Sequence, residues 1–258
     1  VIHLAGKAHD TRNNSGREAY FDINFGLTKR IFDRFLNSET GNFIFFSSVK
    51  AAADVVNGDI LTEDVIPSPV GPYGESKIMA EEYIMDFVKK RDERLKHKNV
   101  YILRPCMIHG PGNKGNLNLL YSLVKKGIPW PLGAFDNKRS FTSVENLCFI
   151  IQNIINSDIP SGIYNIADDE PVSTNRLIEL ISEVRGSKAK IMNVNPGVIK
   201  GMSRLGDLLH LPLNSLRLQK LTENYIVSNE KIKTALGLDK LPISAEGGLI
   251  RTLKSFND

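Results

Sequence analysis

Tyr73 and Lys77 stand four residues apart, the spacing in this chain best suited to chemistry. On an α-helix the two share one face, so a phenol and an ammonium can be aimed at one point. A phenol is ordinarily too weak an acid to serve as a base near neutral pH. A neighbouring ammonium favours the phenolate and brings its pKa toward the working range. With Ser48 to hold a substrate hydroxyl, the trio suits proton removal from a carbinol while a hydride leaves the same carbon. A Tyr-x-x-x-Lys pair also arises by chance on surface helices, so its surroundings decide between the two readings.

Those surroundings favour chemistry. The apolar run Phe43-Ile44-Phe45-Phe46 ends abruptly in Ser47-Ser48. It predicts a buried strand with hydroxyls at its C-terminal end, where open α/β sheets place their ligands. Ala80, Glu81, Glu82, Tyr83 and Ile84 support a helix through the Tyr/Lys pair, with no breaker before Arg94. Val1 to Gly6 reads as a strand followed by a small-residue turn, and His3 inside it as a core histidine. Tyr101 to Pro105 and Gly162 to Ala167 read as further buried strands. Tyr20 to Leu36 predicts one helix with an apolar stripe of Phe21, Phe25, Thr28, Phe32 and Phe35. Asn57-Gly58, Pro67, Pro69, Gly71 and Pro72 mark residues 49–72 as a long loop. Beyond Ser173-Thr174, a helix N-cap, the pattern predicts a short strand near 189–192. Helices are expected around 198–209, from Ser228 and from Pro242.

Composition narrows the class. Apolar content of 41% and charged content of 24% are those of a globular protein. The net charge of +4 is mild and its cations are interleaved with acids, which argues against nucleic acid as a partner. Cys106 and Cys148 lie in apolar runs and read as buried thiols without disulfide or metal spacing. No apolar run reaches transmembrane length and no signal peptide is visible, so no membrane partner is expected and the cytoplasm is the default compartment.

Ser47-Ser48, Tyr73-Gly74-Glu75-Ser76-Lys77 and Ala80-Glu81 together resemble the extended short-chain dehydrogenase/reductase family. Within it the chain is most similar to the NAD-dependent nucleotide-sugar epimerases and dehydratases. Leu103-Arg104-Pro105, Gly110-Pro111-Gly112, Arg139-Ser140-Phe141 and Gly162-Ile163-Tyr164-Asn165-Ile166 extend the likeness nearly end to end. The resemblance implies an α/β fold: a Rossmann-type doubly wound parallel sheet, N-terminally incomplete, with a smaller mixed α/β substrate-binding C-terminal lobe. The NAD-binding part would comprise 1–112 and 141–167, the lobe 113–140 and 168–258. NAD, with NADP as an option, would lie against Leu4, Ala5, Gly6, Lys7, Asn24, Ser47, Tyr73, Lys77, Pro105 and Cys106. A nucleotide sugar, a UDP-sugar in this branch, would meet Ser48, Met107, Asn116, Leu117, Arg139 and Arg217, the arginines as phosphate anchors. Ser48, Tyr73 and Lys77 would be catalytic and no metal is implied. The likeness also suggests a homodimer through the helices that carry Asn24 and Tyr73.

Departures from the family pattern are informative. Leu27 stands where a glycine is expected after Asn24, and Ala51-Ala52-Ala53 replaces an aromatic segment. His109 replaces an aromatic, either as packing or as a general acid. Glu63-Asp64 fits the family pattern or merely solvates its loop. A dinucleotide fold opens with a strand, a glycine-rich loop and a helix, then an acidic residue. No such spacing occurs here, and two βα units of roughly 30 residues each would fill the gap. The 258-residue chain is therefore expected to be N-terminally incomplete, to bind cofactor poorly by itself and to expose a sheet edge.

Three functions fit these residues. A nucleotide-sugar 4-epimerase acting on a UDP-hexose or UDP-N-acetylhexosamine leads. A reductase of a UDP-4-keto-6-deoxy-hexosamine using an exchangeable dinucleotide is the close rival, and a non-catalytic relative is the reading of another class. A 4,6-dehydratase fits less well, because Val49-Lys50 stands where that reaction wants an acid pair.

Overall fold

The computed structural model describes residues 1–8, 16–113, 115–209 and 214–256. The chain divides into two units. The first comprises Val1–Cys106, Leu147–Ala167 and Val227–Lys240. Its frame is a parallel sheet of β1 (Ile2–His3), β2 (Asn42–Phe46), β3 (Asn99–Pro105) and a later strand, Gly162–Ile166. The register pairs Ile44 with Ile2 and Tyr101, and Leu103 with Tyr164. These strands read as near-continuous apolar runs because a parallel sheet is covered on both faces. β1 is the edge strand among the described residues, with Val1, Ile2 and Leu4 exposed.

Helices cover the sheet. α1 (Arg17–Phe21) continues through a π-helical segment, Asp22–Leu27, into α2 (Thr28–Leu36). The sequence predicts one uniform helix here. The difference lies at Gly26, a weak helix former, and at Asn24, whose side chain serves another segment, as described below. α2 lays Phe32, Phe35 and Leu36 against Phe43 and Phe45 of β2 and Val100 and Ile102 of β3. Each buried phenylalanine contributes about 1.5–3 kcal/mol by leaving water, which is what binds the helix to this face. α3 (Val49–Ala52) is a single turn at the start of the stretch predicted as loop. Ser48 makes it possible, because its side chain caps the turn by accepting from the Lys50 N–H. α4 (Gly71–Lys89) is the long helix expected around Tyr73 and Lys77, and a 3₁₀ turn, Glu93–Leu95, follows it.

The second unit comprises Met107–Asn146, Asp168–Ile226 and Leu241–Asp258. In chain order it holds β4 (Met107–His109), α5 (Asn116–Lys125), β5 (Lys138–Arg139), β6 (Phe141–Ser143) and the start of α6 (Val144–Asn156). The Gly162–Ile166 strand, β7, belongs to the first unit, and β8 (Val172–Ser173) and α7 (Thr174–Val184) to the second. α8 (Pro196–Leu209) and α9 (Ser215–Thr222) follow. α10 (Glu230–Leu236) lies in the first unit and α11 (Ala245–Lys254) closes the second. β4 pairs β6 in parallel and β5 pairs β8 antiparallel, around a core of Leu117, Tyr121, Phe141, Leu177, Leu180, Ile181, Leu249 and Leu253. The architecture is thus the expected parallel α/β sheet accompanied by a smaller mixed lobe.

Local expectations are corrected in three places. The predicted strand at 189–192 is reduced to isolated bridges, Trp130 with Ile191 and Leu132 with Asn193. Pro129 and Pro131 alternate with those positions and have no N–H to extend a ladder. Cys106 is buried but Cys148 is exposed, because α6 turns Leu147, Ile150 and Ile154 inward and Cys148 outward. The last two helices start at Glu230 and Ala245, behind Asn229 and the capping Ser244, rather than at Ser228 and Pro242.

His3 is buried, stacks on Phe45 with ring centroids 5.6 Å apart, and places Nε2 2.9 Å from Thr28 Oγ1. The Thr28 hydroxyl donates to Asn24 O, so the imidazole Nε2–H donates to Thr28. Burial, reinforced by the Lys77 charge, lowers the His3 pKa to about 4. The unfolded chain, with an ordinary value near 6.5, therefore takes up the proton first. This contribution to stability is full above about pH 6.5 and declines as the pH falls toward 4. Urea unfolding of wild type against His3→Gln should show wild type losing up to about 3 kcal/mol over that window; parallel curves would contradict a neutral buried imidazole.

Candidate active site

β2 ends at Phe46 and the chain turns at Ser47-Ser48 into α3, which delivers both hydroxyls to the C-terminal edge of the sheet. α4 approaches this edge closely. A Cβ on Gly74 would stand 2.5 Å from Lys50 O and 3.0 Å from the Pro69 side chain, so only glycine lets the helix start there. That approach brings the Tyr73 phenol beside the Ser48 side chain. Burial raises the Tyr73 pKa above its ordinary value, and the neighbouring Ser48 hydroxyl opposes the rise.

One turn on, Lys77 is buried, its ammonium donating to Phe46 O at 2.7 Å and lying 4.8 Å from the Phe45 ring centroid. Burial lowers its pKa to about 8, and the Glu81 carboxylate acts in the opposite direction. The sequence-based expectation assigns Lys77 the lowering of the Tyr73 pKa. The ammonium donates to the end of β2, and in the protein alone burial is the larger influence on the phenol.

Glu81, a further turn along the same helix face, is the group that sequence reasoning undervalued. Its carboxylate accepts from Arg104 Nε at 3.0 Å to each oxygen, from Arg104 Nη2, and from the Ser47 hydroxyl. Arg104 and Glu81 are 2% and 1% exposed, so this is a fully desolvated ion pair. It ties three elements together: α4, the end of β2 and the end of β3. The available signal was an arginine within the apolar run Tyr101–Pro105, since a buried strand cannot hold a guanidinium without a partner.

Asn24 is also fully buried. Its side chain accepts from Lys7 N at 2.7 Å, donates to Lys7 O at 3.1 Å and donates to Ser76 Oγ at 3.0 Å. It clamps the turn after β1 onto α4. Leu4, Ala5 and Gly6 in that turn are exposed and Lys7 is half-buried. A Cβ on Gly6 would meet Lys77 Nζ at 3.0 Å and Asn24 Oδ1 at 3.2 Å, so the turn backbone rests directly on Lys77. Pro105 and Cys106 are buried at the end of β3, with Cys106 N donating to Ile166 O. The structure thus collects Gly6, Lys7, Asn24, Ser47, Ser48, Tyr73 and Lys77 around the end of β2. Glu63 accepts from the Asn165 N–H at 2.7 Å and ties its loop to β7.

The predicted substrate residues beyond Ser48 lie in the second unit. Met107 and Asn116 are exposed. Leu117 is committed to the core beside Tyr121 and Phe141, so its side chain offers nothing to a substrate. Arg139 is half-buried, donates to Lys220 O and lies 3.7 Å from Glu223 Oε1. Arg217 is exposed, with its N–H capped by Asn214. His109 is buried, 2.9 Å from Thr252 Oγ1 through Nδ1, 3.7 Å from Asp168 Oδ2 through Nε2 and edge-on to Phe141. Among the described residues there is no cluster of His, Cys, Asp and Glu that could hold a metal.

Comparison with known proteins matches residues 1–167 to the NAD dependent epimerase/dehydratase family. The UDP-glucose 4-epimerase of Vibrio cholerae is 33% identical over 184 residues, 69% of this chain and 54% of that protein. The N-acetyl-alpha-D-glucosaminyl-diphospho-ditrans,octacis-undecaprenol 4-epimerase of Escherichia coli O157:H7 is 27% identical over 195 residues, 75% and 57% of the two chains. The chain thus spans rather more than half the length of these curated relatives. The UDP-glucuronic acid 4-epimerase of Bacillus cereus, solved in complex with NAD, superposes with a TM-score of 0.73 at 17% identity, covering 99% of this chain and 73% of that one. RMD of Pseudomonas aeruginosa, complexed with NADPH, gives 0.71 at 19% identity, covering 98% and 79%. At such identities the superpositions establish a shared fold.

Two stability measurements test the buried charges. Glu81→Gln should cost about 3–5 kcal/mol in urea unfolding, because it strands the Arg104 guanidinium. Glu81→Leu/Arg104→Met, which removes both charges, should lie closer to wild type. For Lys77 the folded pKa is depressed, so its contribution is present above the unfolded value near 10.4 and is lost as the pH falls to about 8. Wild type should therefore gain stability relative to Lys77→Met as the pH is raised from 8 to 10; an unchanging difference would refute the assignment.

Proposed function

Since the chain belongs to the NAD dependent epimerase/dehydratase family, we propose that it is a nucleotide-sugar 4-epimerase acting on a UDP-hexose or UDP-N-acetylhexosamine. The observation that carries the proposal is the placement of the Tyr73 phenol beside Ser48 at the end of β2, with Lys77 one turn away and donating to Phe46 O. Tyr73 takes the proton of the sugar 4-hydroxyl and returns it once the 4-keto sugar has turned over. Ser48 holds that oxygen in place. Lys77, buried against Phe46 O, puts a positive charge beneath the site.

NAD, when bound, supplies the hydride acceptor. The residues present fit its reactive end: the exposed turn Leu4-Ala5-Gly6 is held by Asn24 and rests on Lys77, which a side chain at position 6 would press upon. Arg139 and Arg217 are the phosphate anchors of this reading. A homodimer through the helices carrying Asn24 and Tyr73, and a cytoplasmic location, complete it.

The UDP-glucose 4-epimerase of V. cholerae supports the choice of reaction. So does Lys50, which pairs with Asp54 at 3.0 Å where a dehydratase would need an acid. The natural full-length protein, denatured after purification, should release stoichiometric NAD(H), and NMR should show inversion at C4 of UDP-N-acetylglucosamine. Tyr73→Phe should lower kcat by about a hundred- to ten-thousand-fold while leaving the fold unchanged. Consumption of NADPH with a UDP-4-keto-6-deoxy-hexosamine, without C4 inversion, would replace the epimerase by a reductase. Neither activity would point to a non-catalytic relative.

A further inference from the structure

Helix α8 turns an apolar surface outward. At about 100° per residue, Val198, Met202, Leu205, Leu208 and Leu209 fall on one arc of roughly 120°. All five are exposed, Leu205 by 58% and Leu208 by 75%. The face covered by the rest of the second unit is a different one, Ile199, Ser203 and Gly206. Ile199 packs there with Trp130, Leu132, Ile178 and Leu218. The helix therefore buries mostly small residues and displays large apolar ones. A single exposed leucine would need no explanation, but a continuous stripe marks an interaction surface.

The charge of the segment that carries the stripe selects what covers it. Residues 187–222 carry Lys188, Lys190, Lys200, Arg204 and Lys220 against one acid, Asp207, besides Arg217, which the proposed function turns toward a substrate phosphate. All five are exposed. Asp207 is occupied at the start of α9, where its carboxylate accepts from the Ser215 N–H at 2.9 Å and from the Ser215 hydroxyl. Arg204 falls about 100° from the middle of the apolar arc, at its flank. From there a long basic side chain can follow apolar surface with its stem and keep its charge at headgroup level. A second copy of the chain would bring another five cations against these and be repelled, whereas an anionic lipid surface attracts them.

We infer that α8 docks the second unit onto the surface of an anionic phospholipid bilayer, lying flat with its apolar arc in the boundary between headgroups and acyl chains. No helix of the described residues is long and apolar enough to cross a membrane. At 14 residues, about 21 Å at 1.5 Å per residue, α8 suits a helix that lies in an interface. A helix lying on a membrane surface needs no spanning segment, so it is compatible with the composition of the chain. The inference stands independently of the chemistry assigned to Tyr73.

Flotation of the 258-residue chain tests it, with vesicles of phosphatidylglycerol and phosphatidylcholine in equal parts and of phosphatidylcholine alone. The chain should float with the anionic vesicles at low salt and stay behind with the neutral ones or at high salt. Met202→Glu/Leu205→Glu should reduce the bound fraction by about tenfold or more, with circular dichroism and melting midpoint unchanged because both side chains are exposed. Wild type that ignores anionic vesicles, binds both kinds equally, or floats unchanged in the double variant overturns the inference. Self-association abolished by the same variant, without vesicle binding, would assign the stripe to a second copy instead.

Discussion

The buried ion pair between Glu81 and Arg104 is the constraint on which the first unit depends. Two charges out of water are tolerated only when geometry and hydrogen bonding are nearly complete. Here the carboxylate receives two nitrogens of the guanidinium and the Ser47 hydroxyl. That requirement fixes the rotation of α4 about its axis and its height along the sheet. Tyr73 and Lys77, two turns and one turn before Glu81 on the same face, are positioned by the same contact. An apolar interface would hold the helix against the sheet with comparable strength but would tolerate sliding.

A second clamp completes the arrangement. Asn24 sits within the π-helical segment, and its side chain satisfies both backbone groups of Lys7 and the Ser76 hydroxyl. The irregular helix segment is consistent with that use, since a π turn displaces side chains from the regular spacing. The turn after β1 thereby rests on Lys77 and Asn24 rather than on apolar packing. The polar edge of the sheet is thus a connected set of hydrogen bonds, in which each member limits the freedom of the next.

The second unit uses buried polarity differently. Asp168 gathers the Ser143 N–H, the Ser143 hydroxyl and the Asn146 amide, and Asn146 also donates to Ile243 O. These bonds join β6, α6 and the approach to α11, so Asn146 acts as a structural bridge. Arg139 is likewise engaged within the chain through Lys220 O and Glu223. Its role toward a phosphate, part of the proposed function, would require it to exchange those partners.

Much of this was legible from sequence because it depends on local rules. Apolar runs such as Phe43–Phe46 and Tyr101–Leu103 specify buried strands in any context. A Tyr and a Lys four apart specify a shared helix face, and Ser47-Ser48 specifies where β2 must stop. What the sequence could not carry was whatever depends on two distant segments meeting. Glu81 reads as an ordinary helix former until Arg104, twenty-three positions later, is placed opposite it. Cys148 and Leu117 read alike as apolar, yet one faces solvent and the other the core, because helix rotation is set by neighbouring elements. The ordinary values of a phenol and an ammonium follow from residue type, but the raised Tyr73 and lowered Lys77 pKa values follow from burial. By itself the sequence determined the elements and the identity of the reactive groups; only the tertiary structure decided which groups are desolvated and which partner each one holds, since desolvation is a property of packing between segments rather than of any segment alone.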